Sequence, residues 1–508
     1  MQPIDLVYRA ARLAPGAAAV CAPGVVLDYR ELVARVDALA AALQALDPAP
    51  QSRVGVCAHN TLEHLLTLLA VMAADKIWVP LNPLDAVPVR QAKLAAARPS
   101  LVVGEQACLA GLDTGDAVVV LADEPADSAP DVAALMRARR GAAPRRHGLG
   151  PNHTQAIKFT GGSSGRAKGV LQPYRAWLAG AGNMLDAFAF APGDRYLVAA
   201  PLTHGTSCYV TPMLAAGATL LLLEGKTTPA AIVDAFAARD VSATFVPPTL
   251  AYMILQALEA EPRRFPRLRL LIYGGAAMPP DRIRAAQSLL GPVVATNYGL
   301  TEAPQIITAL TPNEMLDERN LASVGRAARN TRLGIMSAAG ELLPAGEQGE
   351  IVVGGDLVMS GYLDLPEQTA ETLVDGWLHT GDVGCVDERG YLYLKDRLKD
   401  VIISGGFNVY PSDVEAALAA HPAIHECVAF GLPDEKWGEA VQLAVELRPG
   451  ASASESDVIA RDIIAFARAR LGPVQAPKRV HFLAELPRSA VGKVQRREVR
   501  ELAARTRA

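Results

Sequence analysis

The 508-residue chain has few aromatic side chains, little net charge and no closely spaced cysteines. Aromatic residues make up 5%, and 49 Lys and Arg against 53 Asp and Glu leave a formal net charge of −4. A chain without global positive potential is not expected to bind nucleic acid. The cysteines occur singly, without a CxxC pair or the short His/Cys spacing of a zinc site, which predicts buried, reduced thiols.

Long hydrophobic runs are also missing. The longest apolar stretch, residues 65–81, is interrupted by Asp75 and Lys76, and the amino terminus has no apolar core of signal-peptide length. Half of the chain is nevertheless hydrophobic and only 20% is charged, which is typical of a globular protein with more than one domain. We therefore expect a cytoplasmic monomer or homodimer without integral membrane association.

Helix-like and strand-like segments alternate along most of the chain, which predicts an α/β fold. Residues 27–46 place Leu32, Val36, Leu39 and Leu43 on one helical face, and Asp28 with Glu31 forms an amino-terminal capping pair. We expect helix-covered, mostly parallel sheets in a large amino-terminal domain, 1–398, with a small β unit over 340–394. A small α+β lid domain, 399–508, would follow, with a second capping box at Ser412 and Glu415.

The most unusual segment is FTGGSSGRAKGV, residues 159–170. Its glycines, serines, threonine, arginine and lysine lie between a strand-like lead-in and an expected helix, so amides and hydroxyls can face one anion. The spacing is neither that of a Walker A loop nor GxGxxG. Composition alone leaves two interpretations open, a phosphate-binding loop and a flexible surface loop.

This segment resembles the phosphate loop of the acyl-adenylate-forming superfamily, which includes acyl-CoA synthetases, firefly luciferase and the adenylation domains of peptide synthetases. The family's other motifs follow in order: PLTHGTS at 201, YGGAAMP at 273, NYGLTE at 297, WLHTGD at 377, LKDRLKDVIISGGFNVYP at 394 and PRSAVGKVQR at 487. The resemblance covers nearly the whole chain. It implies that the terminal domain is a mobile lid.

The resemblance also implies an ATP site that uses Mg²⁺. Attack of a substrate carboxylate on the α-phosphate would give an acyl adenylate, with donors and cations stabilising the charge. Glu302 would bind Mg²⁺ and Thr301 would touch the α-phosphate; alternatively, Glu302 is an ordinary acid at a helix start. The residues implied in phosphate binding are Thr160, Gly161, Gly162, Ser163, Ser164, Gly165 and Lys168.

The nucleoside would be held by residues of three further motifs. Asp382 would accept the ribose hydroxyls and Arg397 would help to fix ribose and phosphates, although each residue alone reads equally well as a solvated surface charge. The residues implied around the adenine and acyl groups are Gly274, Gly275, Ala276, Asn297, Tyr298 and Gly299.

Different lid residues would act in the two half-reactions, adenylation and thioester formation. Lys493 would stabilise charge only during adenylation, and Lys399 would be the hinge about which the lid turns. Gly405 and Gly406 would line a channel for the pantetheine arm of CoA, and Trp437 matches a position common in CoA-forming members. Composition leaves open that Lys493 and Lys399 are solvated lysines and that Trp437 is a packing residue.

The acid substrate is expected to be an apolar monocarboxylate, aryl or medium-chain. No aspartate that could pair with an amino group follows PLTHGTS, and Met253 stands where malonyl ligases have arginine. His204 would border the substrate carboxylate, or it is a generic satisfied histidine. The expected activity is that of a carboxylate–CoA ligase using ATP, Mg²⁺ and CoA. The alternatives are an enzyme that loads a carrier protein and a non-catalytic adenylate-binding module.

Overall fold

The structure is a computed structural model that describes residues 1–123, 129–160, 167–223, 227–404, 407–435, 437–448, 456–488 and 494–505. The chain divides into two compact units. The first comprises Met1–Leu333, Val352–His379 and Gly390–Leu392, and the second comprises Gly334–Ile351, Thr380–Arg389 and Tyr393–Ala508. The expected boundary between residues 398 and 399 stays a prediction.

Helices and strands alternate through the first unit, as the sequence predicts. The helices are α1 (Ile4–Leu13), α2 (Tyr29–Leu46), α3 (Leu62–Ala73), α4 (Val87–Ala97), α5 (Gln106–Leu109), α6 (Val132–Ala138), α7 (Tyr174–Phe188), α8 (Ser207–Ala215), α9 (Pro229–Ala238), α10 (Pro248–Ala260), α11 (Pro280–Leu290), α12 (Pro366–Thr372), α13 (Pro411–Leu418), α14 (Ser456–Gln475) and α15 (Arg496–Arg505). The last three belong to the second unit. Short 3-10 turns cover Glu314–Leu316, Glu318–Asn320 and Leu398–Asp400.

The strands form the frame of both units. In chain order they are β1 (Ala18–Ala22), β2 (Val25–Asp28), β3 (Arg53–Cys57), β4 (Ile77–Pro80), β5 (Leu101–Gly104), β6 (Val118–Leu121), β7 (Thr154–Thr160), β8 (Lys168–Pro173), β9 (Arg195–Leu197), β10 (Thr219–Leu221), β11 (Ala243–Val246), β12 (Leu270–Gly274), β13 (Val294–Tyr298), β14 (Thr308–Leu310), β15 (Arg326–Ala327), β16 (Arg332–Met336), β17 (Gln348–Gly354), β18 (Gly361–Tyr362), β19 (Leu373–Val374), β20 (Trp377–Val386), β21 (Leu392–Arg397), β22 (Ile402–Ser404), β23 (Phe407–Val409), β24 (Ile424–Asp434), β25 (Gly438–Leu447) and β26 (Arg479–Phe482).

Two largely parallel sheets organise the first unit. One has the order β15-β14-β13-β12-β11-β9-β10-β1-β2, with parallel pairing from β1 through β13 and antiparallel pairs at both ends. The other has the order β18-β8-β7-β4-β3-β5-β6. The central strands β11, β12 and β13 are buried along their whole length, as expected for parallel strands covered by helices on both faces.

Helix α2 confirms the expected helix and its cap. The Asp28 carboxylate accepts from the Glu31 amide at 2.7 Å, and the Glu31 carboxylate accepts from the Asp28 amide at 3.1 Å. Leu32, Val36 and Leu39 on its apolar face are buried in the main core. The periodicity of apolar residues was sufficient to predict α2, because one face of this helix is apolar and the other is polar.

The segment after the phosphate loop is a strand, so the expected helix directly following it is wrong. Strand β8 pairs antiparallel with β7, with Thr160 opposite Lys168, and α7 begins only at Tyr174. Pairing with β7 satisfies the backbone of residues 168–173 and fixes the two ends of the loop side by side. The local glycine-rich sequence carries no signal for this long pairing.

The second unit is an α+β structure, as expected. Its terminal sheet has the order β23-β22-β25-β24, with β26 parallel to β25. Buried residues of α13, α14 and the sheet form one core, among them Val414, Leu418, Val441, Leu443 and Ile463. A further sheet, also of five strands, has the order β16-β17-β20-β19, with β21 paired to β20.

The expected capping box at Ser412 and Glu415 is wrong. Helix α13 begins at Pro411, and the Ser412 amide donates to the Asp396 carboxylate at 2.7 Å. The Glu415 carboxylate instead accepts from the Ala429 amide at 2.9 Å and from Arg496 at 2.6 Å. Tertiary partners brought by the fold outcompete the local cap. Among the described helices, none combines the length and apolarity needed to cross a bilayer.

Candidate active site

The phosphate segment is held by a hairpin of the second sheet. Strand β7 ends at Thr160 and β8 begins at Lys168, and these two residues are register partners. The loop between them includes Gly161, Gly162, Ser163, Ser164 and Gly165, which lie outside the described residues. The hairpin therefore brings both described phosphate-site residues to the mouth of the loop.

A tyrosine links Lys168 to Glu302. The Lys168 ammonium lies 4.9 Å from the centre of the Tyr362 ring, a cation–π contact, and the Tyr362 hydroxyl donates to the Glu302 carboxylate at 2.9 Å. Burial, and then the Glu302 carboxylate, raise the pKa of Tyr362, so its hydroxyl remains a donor. Tyr362 has no motif of its own in the sequence, and only the pairing of β18 with β8 brings it here.

The backbone on either side of Glu302 is fixed as well. The Gln172 amide group donates to the Thr301 carbonyl at 2.8 Å, and the Met359 amide donates to the Glu302 carbonyl at 2.8 Å. Among the residues that the structure describes, the second carboxylate oxygen of Glu302 accepts no hydrogen bond. A half-buried, anchored carboxylate with an oxygen available, linked through Tyr362 to the lysine predicted to bind phosphate, fits a Mg²⁺ ligand.

The carboxyl ends of β12 and β13 supply the predicted adenine-site residues. Gly274 and Asn297 are partners in the parallel pair, and a Cβ on Gly274 would lie 3.0 Å from the Asn297 side-chain oxygen. Gly275 adopts a φ of +87°, and Ala276 after it is exposed. Tyr298 is buried at the end of β13 with 7% of its surface exposed. The structure brings these residues together, while their contacts with a nucleotide stay predictions.

Gln305 is a central residue that the sequence analysis missed. It has a φ of +72°, a strained conformation for a residue with a side chain, and its carbonyl accepts from the Asn297 side-chain amide. A Cβ on Gly299 would overlap this carbonyl, and a Cβ on Gly205 would lie 2.5 Å from the Gln305 side-chain oxygen. Gln305 thus fills the space between the loops that carry Gly299 and His204. No sequence signal marks it.

His204 lies in the loop that precedes α8 in the first unit. It is exposed to solvent, yet desolvation by the surrounding protein, and then the Lys158 ammonium, lower its pKa to about 4. The Thr203 hydroxyl lies 2.9 Å from its Nδ1 atom. At neutral pH the imidazole is uncharged, which suits a group placed beside a substrate carboxylate without forming an ion pair.

Lys158 is a second residue missing from the sequence predictions. Its buried ammonium donates to the His204 carbonyl at 3.0 Å and to the Ser207 hydroxyl at 2.8 Å. It also lies 5.3 Å and 5.5 Å from the ring centres of Trp78 and Trp177. Among the described residues no carboxylate lies within ion-pair distance, and burial lowers the Lys158 pKa. The available signal was a lysine between two apolar residues, Ile157 and Phe159, of a strand.

The predicted ribose ligands lie together in the second unit. Arg397 on β21 forms an ion pair with Asp382 on β20, with 2.5 Å between Nε and Oδ1. The preceding Gly381 has a φ of +69°, and its amide donates to Glu350 at 2.9 Å. A carboxylate positioned by a rigid turn and a guanidinium is suited to accept two neighbouring hydroxyls.

The remaining lid predictions are only partly described. Lys399 is exposed in the 3-10 turn Leu398–Asp400. The Trp437 amide donates to Asp434 at 3.1 Å, and the Lys478 ammonium lies 4.9 Å from the centre of its ring. Gly405, Gly406 and Lys493 lie outside the described residues.

Comparison with family models decides the family. The model of the AMP-binding enzyme matches residues 7–363, and that of the AMP-binding enzyme C-terminal domain matches residues 413–493. The chain belongs to the AMP-binding enzyme family. This membership confirms the resemblance found in the motifs.

Curated relatives of this AMP-binding enzyme include several CoA ligases. A feruloyl-CoA synthase of an Amycolatopsis species is 35% identical over 97% of both chains, and the indoleacetate–CoA ligase of Aromatoleum aromaticum is 33% identical over 99% of both. The medium/long-chain-fatty-acid–CoA ligase FadD8 of Mycobacterium tuberculosis is 36% identical over 69% of this chain, which spans 62% of that relative. The prediction of an AMP-forming acid–thiol ligase is confirmed.

Solved structures show the same architecture. The amide bond synthetase McbA of Marinactinospora thermotolerans has a TM-score of 0.86 at 30% identity, covering 99% of this chain and 100% of that one. ATP-bound MatB of Rhodopseudomonas palustris has a TM-score of 0.86 at 27% identity, covering 99% of both chains. The predicted fold class, a large domain of parallel sheets with a smaller terminal domain, is confirmed.

Proposed function

We propose that this AMP-binding enzyme activates an aryl or medium-chain monocarboxylic acid as its acyl adenylate and transfers the acyl group to CoA. The observation that carries the proposal is the line of contacts from Lys168 through Tyr362 to Glu302 at the mouth of the phosphate hairpin. These contacts support the proposal because a metal–triphosphate complex needs a cation and a carboxylate close together.

In the adenylation step, each candidate residue of the site has a proposed role. The substrate carboxylate attacks the α-phosphate, a P–O bond forms, and the bond to the leaving pyrophosphate breaks. Thr160 and Lys168 would hold the phosphates of the leaving group, and Glu302 would hold Mg²⁺. Mg²⁺ held by Glu302 would supply neutralisation of charge on the phosphate oxygens. Asp382 and Arg397 would hold the ribose, and Lys493 would stabilise the reacting centre.

The acyl side of the site supports an apolar acid. The His204 imidazole is uncharged at neutral pH, and the buried rings of Tyr196, Tyr209 and Phe245 form a continuous stack in the same unit. The charged groups that act on the His204 imidazole are Lys158, Asp85 and Lys93. The Lys158 ammonium already donates to Ser207 and His204, and Lys93 pairs with Asp85 at 2.5 Å, so these cations already have partners within the protein. Relatives of nearly full coverage are named for ferulate and indoleacetate, so we propose an aryl acid as the preferred substrate.

Pyrophosphate release tests the proposal. Cinnamates, benzoates and C4 to C12 fatty acids are supplied with Mg-ATP, with and without CoA, and CoA consumption is followed in parallel. We expect release with cinnamates above all other acids and one CoA consumed per pyrophosphate. The matched control is Glu302→Gln, which keeps an acceptor for Tyr362 and should lose at least about 100-fold in rate.

Two results would contradict the proposal. Absence of pyrophosphate with every acid would favour a non-catalytic adenylate-binding module, and release without CoA consumption would favour loading of a carrier protein. A cytoplasmic location, where ATP and CoA are both available, and a monomeric or homodimeric state stay predictions.

A further inference from the structure

Three potential metal ligands lie close together at the carboxyl ends of two neighbouring strands of the second sheet. None of them belongs to a motif of the adenylation site. His59 Nδ1 lies 2.5 Å from Glu105 Oε2, the Cys108 sulfur lies 3.3 Å from the same oxygen, and the sulfur lies 3.6 Å from Nδ1. The donor set of one imidazole, one carboxylate and one thiol is typical of zinc.

The fold brings these residues together over a distance of 46 residues along the chain. Strands β3 and β5 are parallel neighbours with Cys57 opposite Gly104. The residues that follow each strand therefore lie at the same end of the sheet. A Cβ on Gly104 would lie 2.5 Å from the Cys57 carbonyl oxygen, so only glycine allows the backbones to approach this closely. Helix α5 then directs Cys108 back towards His59.

The three donors are preorganised by neighbours that are not ligands. The second Glu105 oxygen accepts from the His59 amide at 3.3 Å. Asn60, next along the chain, donates to the Ala200 carbonyl at 2.9 Å and accepts from the Leu202 amide at 2.8 Å. Arg90 donates to the carbonyl of Cys108. Outer contacts of this kind are what orient the ligands of a metal site.

The distances match a tetrahedral ion with little rearrangement. Bonds of about 2.3 Å to sulfur and about 2.1 Å to nitrogen and oxygen separate neighbouring ligand atoms by about 3.4 to 3.6 Å. The 3.6 Å between the Cys108 sulfur and His59 Nδ1 already agrees with these values, and the 3.3 Å between the sulfur and Glu105 Oε2 is slightly shorter. The largest change is in the hydrogen-bonded pair of His59 and Glu105, which must open by about 1 Å once the ion replaces the shared proton.

The exposure of the three side chains would allow a metal ion to reach the site from solvent. The Cys108 residue is 4% exposed, the Glu105 side chain 15% and the His59 side chain 56%, so the donors run from the interior to solvent. A fourth ligand from bulk water can therefore reach an ion bound here. One thiolate, one carboxylate and a neutral imidazole balance the charge of a divalent cation exactly once the thiol proton passes to solvent.

We propose that His59, Glu105 and Cys108 form a Zn²⁺-binding site with water as the fourth ligand. Cys57 is not one of its ligands: its sulfur lies 3.5 Å from the Cys108 carbonyl oxygen and 3.7 Å from Arg90. None of the three proposed ligands belongs to a motif of the adenylation site, and the proposal does not depend on the identity of the acid substrate. Cysteine spacing along the chain does not indicate such a site, because the proposed ligands follow two separate strands, β3 and β5.

Zinc titration of the full-length protein tests the proposal. The protein is kept reduced with a phosphine, stripped with chelator and titrated with ZnCl₂ by calorimetry, with the melting temperature followed in parallel. We expect one tight equivalent and a rise in melting temperature. Cys108→Ser and His59→Ala should each weaken binding at least about tenfold and abolish the rise. Glu105→Gln, which keeps a hydrogen-bond partner for His59, should weaken binding in the same way.

Matched controls separate this site from other thiols. Cys57→Ser and Cys385→Ser should bind zinc within about threefold of the parent protein. All variants should release pyrophosphate at the parent rate in zinc-free Mg-ATP, which shows that each one folds. The proposal is overturned if the parent binds no zinc, if Cys108→Ser and His59→Ala bind as tightly as the parent, or if Cys57→Ser loses as much affinity as Cys108→Ser.

Discussion

Lys158 shows how one buried charge can serve positioning at the expense of stability. An ammonium without a carboxylate partner is costly to bury, and its hydrogen bonds to His204 and Ser207 with two indole rings offset only part of that cost. The same ammonium holds the loop that carries His204 and lowers the pKa of its imidazole. We therefore interpret Lys158 as a positioning residue.

Lys158→Met should separate stability from activity. The free energy of unfolding at pH 7 is expected to be unchanged or raised by about 1 kcal/mol or more, because a desolvated charge is removed. Since burial lowers the folded-state pKa of Lys158, the unfolded chain binds more protons between that value and about 10.4, so the parent gains stability as the pH rises through this window. The advantage of the variant should shrink accordingly, as measured by denaturant unfolding at pH 7 and 10.

The pH profile of adenylation gives the second readout for this variant. Without the Lys158 cation the His204 pKa should rise from about 4, yet stay below 6.5 because burial remains. The acidic limb of kcat/KM for pyrophosphate release should move to higher pH, and the plateau should fall roughly tenfold through loss of one or two positioning hydrogen bonds. Asp85 and Lys93 also act on His204, more weakly, so Lys93→Met should shift the limb less. An unshifted limb in Lys158→Met would contradict the positioning role.

At the scale of elements, the loop between β13 and β14 is packed against the loop that precedes α8. Gln305 joins them, with its backbone against Gly299 and its side chain against Gly205. The backbone contact cannot yield without moving the strand end that carries Tyr298, whereas the side chain can rotate away. A Cβ could therefore be accommodated more easily at Gly205 than at Gly299.

Gly299→Ala should be the more damaging of two matched substitutions. Overlap with the Gln305 carbonyl is expected to lower the free energy of unfolding by about 1 to 3 kcal/mol and to reduce pyrophosphate release. Gly205→Ala meets only the movable end of the Gln305 side chain and should cost less than about 1 kcal/mol. Thermal unfolding and pyrophosphate assays on both variants measure this order. A reversed order would mean that the Gln305 backbone does not set the loop.

At the scale of the whole molecule, the proposed activity needs two successive reactions, adenylation and thioester formation. The residues proposed for phosphates lie in the first unit, and those proposed for ribose, hinge and lid lie in the second. Assigning Lys493 to the first reaction alone makes the two reactions separable by one substitution. That separation distinguishes a turning lid from a static one.

Lys493→Ala should abolish adenylation while sparing thioester formation. We expect acid-dependent pyrophosphate release to fall at least about 100-fold, because the variant lacks a cation at the reacting centre. Conversion of supplied acyl adenylate and CoA to thioester should continue within about threefold of the parent rate. The control Arg488→Ala removes a positive charge five residues earlier in the chain, one that pairs with Glu426, and should leave both rates unchanged. Equal loss of both reactions in Lys493→Ala would disprove the assignment.

The sequence by itself determined the class of fold, the family and most candidate residues. Periodicity and capping predicted α2, apolar runs predicted the buried parallel strands, and motif order identified the family, because each of these signals is local or repeated along the chain. Thr160, Lys168 and Glu302 were found in the same way, as members of short motifs.

Only the tertiary structure revealed the residues that act across the chain. Tyr362, Gln305 and Lys158 touch motif residues without belonging to a motif, and the ligands His59 and Cys108 approach each other only because β3 and β5 are neighbours. The strand β8 and the partners of Glu415 were mispredicted for the same reason. Sheet register and core packing decide which distant segments pair, and the local sequence does not predict this pairing.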